Sequence, residues 1–455
     1  MNRDLSKGPV VKSMILFAIP MILGDLLQQC YNIADTLIVG RCLGEKALAA
    51  VGSSFTLMTF ITSILLGLCM GSSALFSIRF GQHDENGLKE DICASFIFIA
   101  AVTVLLNVVA YASLGGLRVF LQVPDEVWGE MREYLFVIFM GIPAVFLYNY
   151  FASYLRAIGN SVIPLVFLAV SSLLNIILDL WFVIGFKMGV AGAAWATVLS
   201  QLLSAVLCTV IGVRKFLILR LKKEDFTLLS SALKIHLSIG FPMGFQMSVM
   251  CIGQLAMQGA VNALGTEAIA GYTAATKVDQ ISVLMNAAFG IAISNYVAQN
   301  YGAGLWDRIR KGTAACLLQT SIANAIMCVM IIFGRHLVVP MFVSQPTAEI
   351  IWYSDHYLLT VAPFYLLLGV LQIYRSAIQS MGNSWTPFTA CIIELIFRIT
   401  STTVFAGIIG YVGICFATPF AWIGACGLLV PVYWHEILKR RKTDDARLNC
   451  NKKYI

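Results

Sequence analysis

Seven ionisable side chains stand inside long apolar stretches of this sequence: Asp25, Asp35, Asp179, Lys277, Asp279, Glu394 and Arg398. Charge in such surroundings is expensive, so each is a candidate for function first and for structure second. Asp25, Gln28, Asn32 and Asp35 follow one another at spacings of 3, 4 and 3, which lays a polar stripe along one helix face with Tyr31 beside it. The stripe faces either a bundle interior, where it supplies interhelical hydrogen bonds, or water. Two carboxylates exceed what packing requires. Asn175 and Asp179 form a further pair one helical turn apart, and Thr197 lies in the next apolar stretch.

Carboxylates gathered in a dry pocket can do two things. Two like charges held close cannot both stay ionised without a proton or a cation between them, so such a pair can take up and release H⁺. The same oxygens are hard ligands for Na⁺, with the amide of Asn175 and the hydroxyl of Thr197 completing the shell. The residue types leave both open, beside the plain alternative of a hydrogen-bonded knot.

The remaining charged positions are less pointed. Lys277 and Asp279 are two residues apart and do not share a helix face. Lys277 either snorkels or lines a cavity. Glu394 and Arg398, at i and i+4, read as a self-neutralising pair. Met243, Met247, Met250 and Met257 share much of one face, which is ordinary packing more often than a permissive wall. The five histidines fall in or near loops and span ends, the 12 cysteines show no ligand spacing, and no phosphate-binding GxxxxGK[ST] run occurs. An enzyme is therefore not expected.

The elements that must position these residues are membrane helices. Of 455 residues, 59% are hydrophobic and 12% charged, about half the usual charge of a soluble domain. Apolar runs lie near 14–39, 51–78, 92–115, 133–155, 162–185, 189–212, 235–264, 270–298, 312–333, 353–378, 386–409 and 411–436. The first run is too long for a cleavable signal. Most lysines and arginines fall in alternate connections and in the C-terminal tail, which orients both termini toward the cytoplasm. The first and fifth spans then run outward and the sixth inward. Asp35, Asn175, Asp179 and Thr197 come within roughly 6 Å of depth at 1.5 Å per residue, in the outer half of one lobe.

The chain also repeats itself. Gly159-Asn160-Ser161 with Pro164 recurs as Gly382-Asn383-Ser384 with Pro387. Pro20 recurs as Pro242, Leu43-Gly44 as Leu264-Gly265, and Phe80-Gly81 as Tyr301-Gly302, all at offsets of 221 to 223 residues. Six spans per half give a parallel pseudo-two-fold repeat about the membrane normal. The expected organisation is an all-α polytopic protein of twelve helices. Residues 1–212 form an N-terminal six-helix lobe with the cation-coupling site and 213–234 a cytoplasmic linker. Residues 235–436 form the second lobe and 437–455 a basic tail. The two in-span prolines predict kinks.

On Tyr31-Asn32-Ile33-Ala34-Asp35-Thr36 leading to Gly40, the Leu43-Gly44 step, Leu155-Arg156-Ala157-x-Gly159-Asn160-Ser161 with Pro164, and Asn175-x-x-x-Asp179, the sequence resembles the multidrug and toxic compound extrusion (MATE) family over essentially its whole length. The resemblance implies a secondary antiporter that exports amphipathic, often cationic organic compounds against inward H⁺ or Na⁺ by rocking of two lobes. It places the cation site at Asp35, Asn175, Asp179 and Thr197. Some family members carry an acidic site in the seventh and tenth spans. Here the seventh has Met250 and Gln254, and the tenth has only Asp355 at its outer edge, so coupling is assigned to the N-terminal lobe. Asp25 stands where a neutral polar residue is more usual. Asp25, Gln28, Tyr31, Asn32, Met250, Gln254 and Lys277 are the candidate cavity residues.

The alternative is a flippase for a lipid-linked oligosaccharide. An anionic head group calls for a cavity lined with Arg or Lys, and Lys277 alone is central, so the exporter is favoured. The expected partners are membrane lipid and a small organic substrate, with no nucleic acid and no cofactor beyond the coupling ion. The chain is expected as a monomer in a prokaryotic cell membrane.

Overall fold

The computed structural model describes residues 4–120, 125–215, 230–342 and 347–452. Among these every regular element is helical. In order they are α1 (Val10–Leu43), α2 (Glu45–Gln82), α3 (Glu85–Phe120), α4 (Asp125–Met140), α5 (Ile142–Ala157), α6 (Val162–Asp179) and α7 (Gly189–Lys215). There follow α8 (Ser230–Asn262), α9 (Thr266–Gly302), α10 (Trp306–Phe342), α11 (Ala348–Val361), α12 (Tyr365–Ser380), α13 (Trp385–Thr400), α14 (Ala406–Ile409), α15 (Tyr411–Cys415) and α16 (Ala417–Lys452). Eleven helices among the described residues are long and apolar enough to cross a membrane, and α4 with α5, bent by 43°, supplies a twelfth. The bend follows Gly141 and precedes Pro143; a Cβ at Gly141 would lie 2.8 Å from Val198 Cγ2 of α7. At 34 residues, α1 is roughly 51 Å long at 1.5 Å per residue, well beyond the hydrocarbon thickness, so its ends reach the polar zones.

The repeated landmarks do the same backbone work twice. Gly159 and Gly382 adopt φ of 84° and 88°, a region costly for any side chain. The asparagine after each then turns back: Asn160 Oδ1 accepts from the backbone N–H of Ile163 at 3.1 Å, and Asn383 Oδ1 from Thr386 at 3.2 Å. Gly44 and Gly265, at φ 90° and 104°, start α2 and α9 in the same manner. Each half also widens into one π-turn, at Leu180–Gly185 after α6 and at Ser401–Phe405 after α13.

The described chain clusters into two units. Of the described residues, unit 1 holds Asp4 and those within 19–247; unit 2 holds Leu5–Ala18 and those from Ser248 onward. The division falls inside α1 and α8, near Pro20 and Pro242, through which both helices continue. Most of the expected 213–234 linker (216–229) lies outside the described residues, and α16 carries the helix through the expected tail to Lys452.

Within unit 1, α2 meets the first half of α8 glycine to glycine. A Cβ at Gly67 would fall 2.4 Å from Gly244 Cα, and one at Gly71 2.7 Å from Gly240 Cα. Small residues at this spacing let backbones approach and gain dispersion contacts, the main attraction available between helices in lipid. His236 of α8, expected near a loop, is instead 2% exposed. Its Nδ1 is 3.2 Å from Ser72 Oγ and its Nε2 3.6 Å from Asp91 Oδ1. Within unit 2 the N-terminal segment is tied through its backbone to side chains of α9 and α10. Leu5 N–H donates to Gln299 Oε1 at 2.9 Å, and Leu5 C=O accepts from Asn300 and Arg308, each at 3.2 Å. None of the eleven cysteines from Cys30 to Cys426 forms a disulfide.

Candidate cation site

The site is built in unit 1 from three helices. α1 approaches α6 at Gly24, where a Cβ would touch Leu168 and Leu165 at 3.6 and 3.7 Å. Asp35 lies three turns farther along α1. Asp179 is the last α-helical residue of α6 and Asn175 is one turn before it; both are buried, at 0% and 2% exposure. The π-turn that follows widens the helix beside Asp179, a distortion found disproportionately at functional sites. Thr197 comes from α7 and accepts from Asn175 Nδ2 at 3.4 Å.

The four residues therefore meet, with the carboxyl groups of Asp35 and Asp179 within hydrogen-bonding reach of each other. Their oxygens are nevertheless short of donors. Asp35 Oδ1, Asn175 Oδ1 and both oxygens of Asp179 are buried with no hydrogen-bond partner among the described residues. Two ionised carboxylates are acceptors only and cannot bond to each other. Either a proton bridging them or a cation held by all four oxygens supplies what the cluster lacks, and the donor set fits both.

Three more side chains surround the pair. Tyr31 interacts with Asp35 and Asp179 and reaches Gln201 and Gln28. Tyr134 of α4 interacts with both carboxylates. The sequence signal for Gln201 was its place one turn beyond Thr197; Tyr134 had none. Asp25 lies nearer Arg156, whose Nη2 donates to Ser153 Oγ at 3.0 Å, so Arg156 serves the lobe as well as its connection.

The other cavity candidates divide by unit. Asp25, Tyr31 and Asn32 are half-buried and Gln28 exposed, all in unit 1. Met250 is half-buried, and Gln254 and Lys277 are exposed, all in unit 2. The methionine face is shared out too: Met243 packs with Leu75 and Ile239 in unit 1, whereas Met257 belongs to unit 2.

Unit 2 gives donors to its buried acids Asp279 and Glu394, whereas Asp355 Oδ1 has no hydrogen-bond partner among the described residues. Asp279 accepts from the hydroxyls of Tyr365 at 2.8 Å and Tyr357 at 3.3 Å. Asp355 pairs with Arg335 at 3.3 Å. The expected Glu394–Arg398 pair does not form. Glu394 takes the guanidinium of Arg375 from α12, because a neighbouring helix offers an approach that two side chains on one helix cannot match. No cluster of three or more His, Cys, Asp or Glu occurs among the described residues.

Comparison with known proteins follows the same repeat. The MatE family matches residues 20–181 and again residues 242–404. Over 417 residues the chain is 30% identical to the Probable multidrug resistance protein YpnP of Bacillus subtilis (strain 168), covering 90% of this chain and 92% of that one. It is 25% identical over 455 residues to the Multidrug export protein MepA of Staphylococcus saprophyticus, covering 97% of each. A MOP superfamily transporter from Pyrococcus furiosus Vc1 superposes with a TM-score of 0.89 at 21% identity, covering 96% of this chain and 98% of that one, which shows a shared fold. A double match, one to each half, and a relative alike along nine-tenths of both chains make this protein a member of the MATE family, multi-pass membrane transporters rather than enzymes.

Proposed function

We propose that the chain is a secondary antiporter that exports amphipathic, cationic organic compounds in exchange for H⁺ or Na⁺ entering the cell. The observation that carries this reading is the set of four buried oxygens on Asp35, Asn175 and Asp179 that lack a donor. A pocket left short of positive charge binds H⁺ or Na⁺ strongly, and a protein can alternate between two lobe arrangements when that binding favours one of them. Tyr31 and the polar face of α1 adjoin the pair, so cation arrival can be felt along the helix that carries Asp25, Gln28 and Asn32. Both termini lie in the cytoplasm of a prokaryotic cell, and the chain works as a monomer without a cofactor. The relatives named for multidrug resistance and export support drug-like organic cargo. The flippase reading finds no support in the exposed face of unit 2, where Lys277 remains the single central lysine of the cavity candidates.

The test is transport in proteoliposomes with ΔpH and ΔNa⁺ imposed separately. Ethidium export driven by one of them supports the reading and identifies the ion. Equal export with neither gradient contradicts it.

A further inference from the structure

Arg398 of α13 is nine-tenths buried within unit 2, and its guanidinium is poorly served. Nη1 donates to the thioether sulfur of Met257 at 3.4 Å, its one hydrogen-bond acceptor among the described residues. Thr418 Oγ1 of α16 donates to the same sulfur at 3.5 Å. Two donors, one of them charged, thus converge on Met257 Sδ, a weak acceptor on a side chain with three rotatable bonds. The carboxylates nearby are committed. Glu394 is held by Arg375, and Asp279, which interacts electrostatically with Arg398 without an ion pair, is held by Tyr365 and Tyr357. Tyr272 also faces Arg398. Gly253 makes the room: a Cβ there would lie 2.9 Å from Arg398 Cδ.

These residues occupy the repeat positions of the cation site. Met257, Arg398, Thr402 and Thr418 follow Asp35, Asn175, Asp179 and Thr197 by 221 to 223 residues, beside the second π-turn. Where unit 1 gathers acceptors without donors, unit 2 gathers donors onto an acceptor too weak for them. A buried guanidinium is best satisfied by an oxyanion, whose two oxygens match its fork.

We propose that Arg398 and Thr418, with Met257 as a displaceable plug, form an oxyanion subsite that takes the carboxylate or phosphate group of an amphipathic cargo, so that the cargo includes zwitterions carrying an oxyanion beside their cationic group. Met257 rotates away, the oxyanion accepts from the guanidinium and the Thr418 hydroxyl, and its apolar body stays in the membrane-embedded part of the protein. The cargo assignment rests on the exporter reading; the binding does not.

The experiment is calorimetric titration of the purified, full-length protein with benzoate and phenyl phosphate. Benzamide serves as the neutral control, acetate and inorganic phosphate as the free ions, all at matched ionic strength. Saturable binding of an aromatic oxyanion, at least tenfold tighter than the control and the free ions, is expected. Arg398→Gln should weaken it at least tenfold, and saturable binding should still be found in Asp35→Asn even where export is lost, which separates this site from the exporter reading. Met257→Glu, which places an internal carboxylate under Arg398, should abolish binding in a folded protein even if Arg398→Gln proves unstable. Unchanged binding in Arg398→Gln or Met257→Glu overturns the proposal, as does equal affinity for acetate, inorganic phosphate and the aromatic probes.

Discussion

In unit 1, Asp35, Asn175, Asp179 and Thr197 gather beside the π-turn at 180–185; at the matching places in unit 2 stand Met257, Arg398, Thr402 and Thr418, beside the π-turn at 401–405. The backbone devices are shared: a positive-φ glycine before an asparagine cap, a glycine start to the second helix of each half, a π-turn after the fifth span. The side chains are not. One unit leaves acidic oxygens without donors, and the other offers a guanidinium a thioether. Duplication supplied one frame, and the chemistry on it diverged. Asp279 and Glu394 of unit 2 show what satisfaction looks like, since Asp279 receives two tyrosine hydroxyls and Glu394 an arginine.

The sharpest way to break the comparison is to neutralise one acid in each unit. Asp35→Asn should reduce gradient-driven ethidium export to background while the protein still purifies as a folded species. Asp279→Asn should leave export within about threefold of wild type and cost about 1–2 kcal/mol of stability, because a satisfied hydrogen-bonded acid contributes to folding rather than to coupling. Export lost equally in both would erase the distinction.

The units also differ in how they hold the first halves of α8 and α1, and this sets the next effect. Unit 1 uses glycine contacts; unit 2 uses Gln299, Asn300 and Arg308 on the Leu5 and Gly8 backbone. Gly67→Leu should destabilise the protein by about 1–3 kcal/mol, through forced separation of α2 and α8, read as a lower melting temperature in detergent. Arg308→Ala should cost less, about 1 kcal/mol, because Leu5 keeps its bonds to Gln299 and Asn300. The smallest effect should be a matched one. Asn160→Ala and Asn383→Ala each lose a cap to the next helix, and both should cost about 0.5–2 kcal/mol. Unequal costs at the two positions would show that the repeated turns no longer carry equal weight.

Much of the frame was readable in advance. Apolar runs gave the twelve spans because lipid demands helices that satisfy their own backbone. The offset landmarks gave the repeat because each performs a backbone task that only glycine or asparagine does cheaply. Depth made a meeting of Asp35 and Asp179 possible, and the family resemblance pointed to the same pair. What depth could not supply was the choice of partner within a level. Glu394 had two arginines in reach, one along its helix and one across, and only packing selected Arg375. His236 looked like a span-end residue until α8 brought it against Asp91. The Gly67/Gly71 and Gly240/Gly244 pairs were hidden among 36 glycines, since spacing on one helix does not name the helix opposite. Tyr134 of α4 joined the cation site from a helix on which no sequence signal singled it out.

Cation binding to the purified protein, measured as radiolabelled Na⁺ retention and as proton uptake after a pH jump in weak buffer, bears most directly on the role of the Asp35–Asp179 pair. One of the two signals should saturate in the wild type, vanish in Asp35→Asn and in Asp179→Asn, and persist in Arg398→Gln. Saturable uptake that survives loss of both Asp35 and Asp179 would place the ion elsewhere and contradict the account.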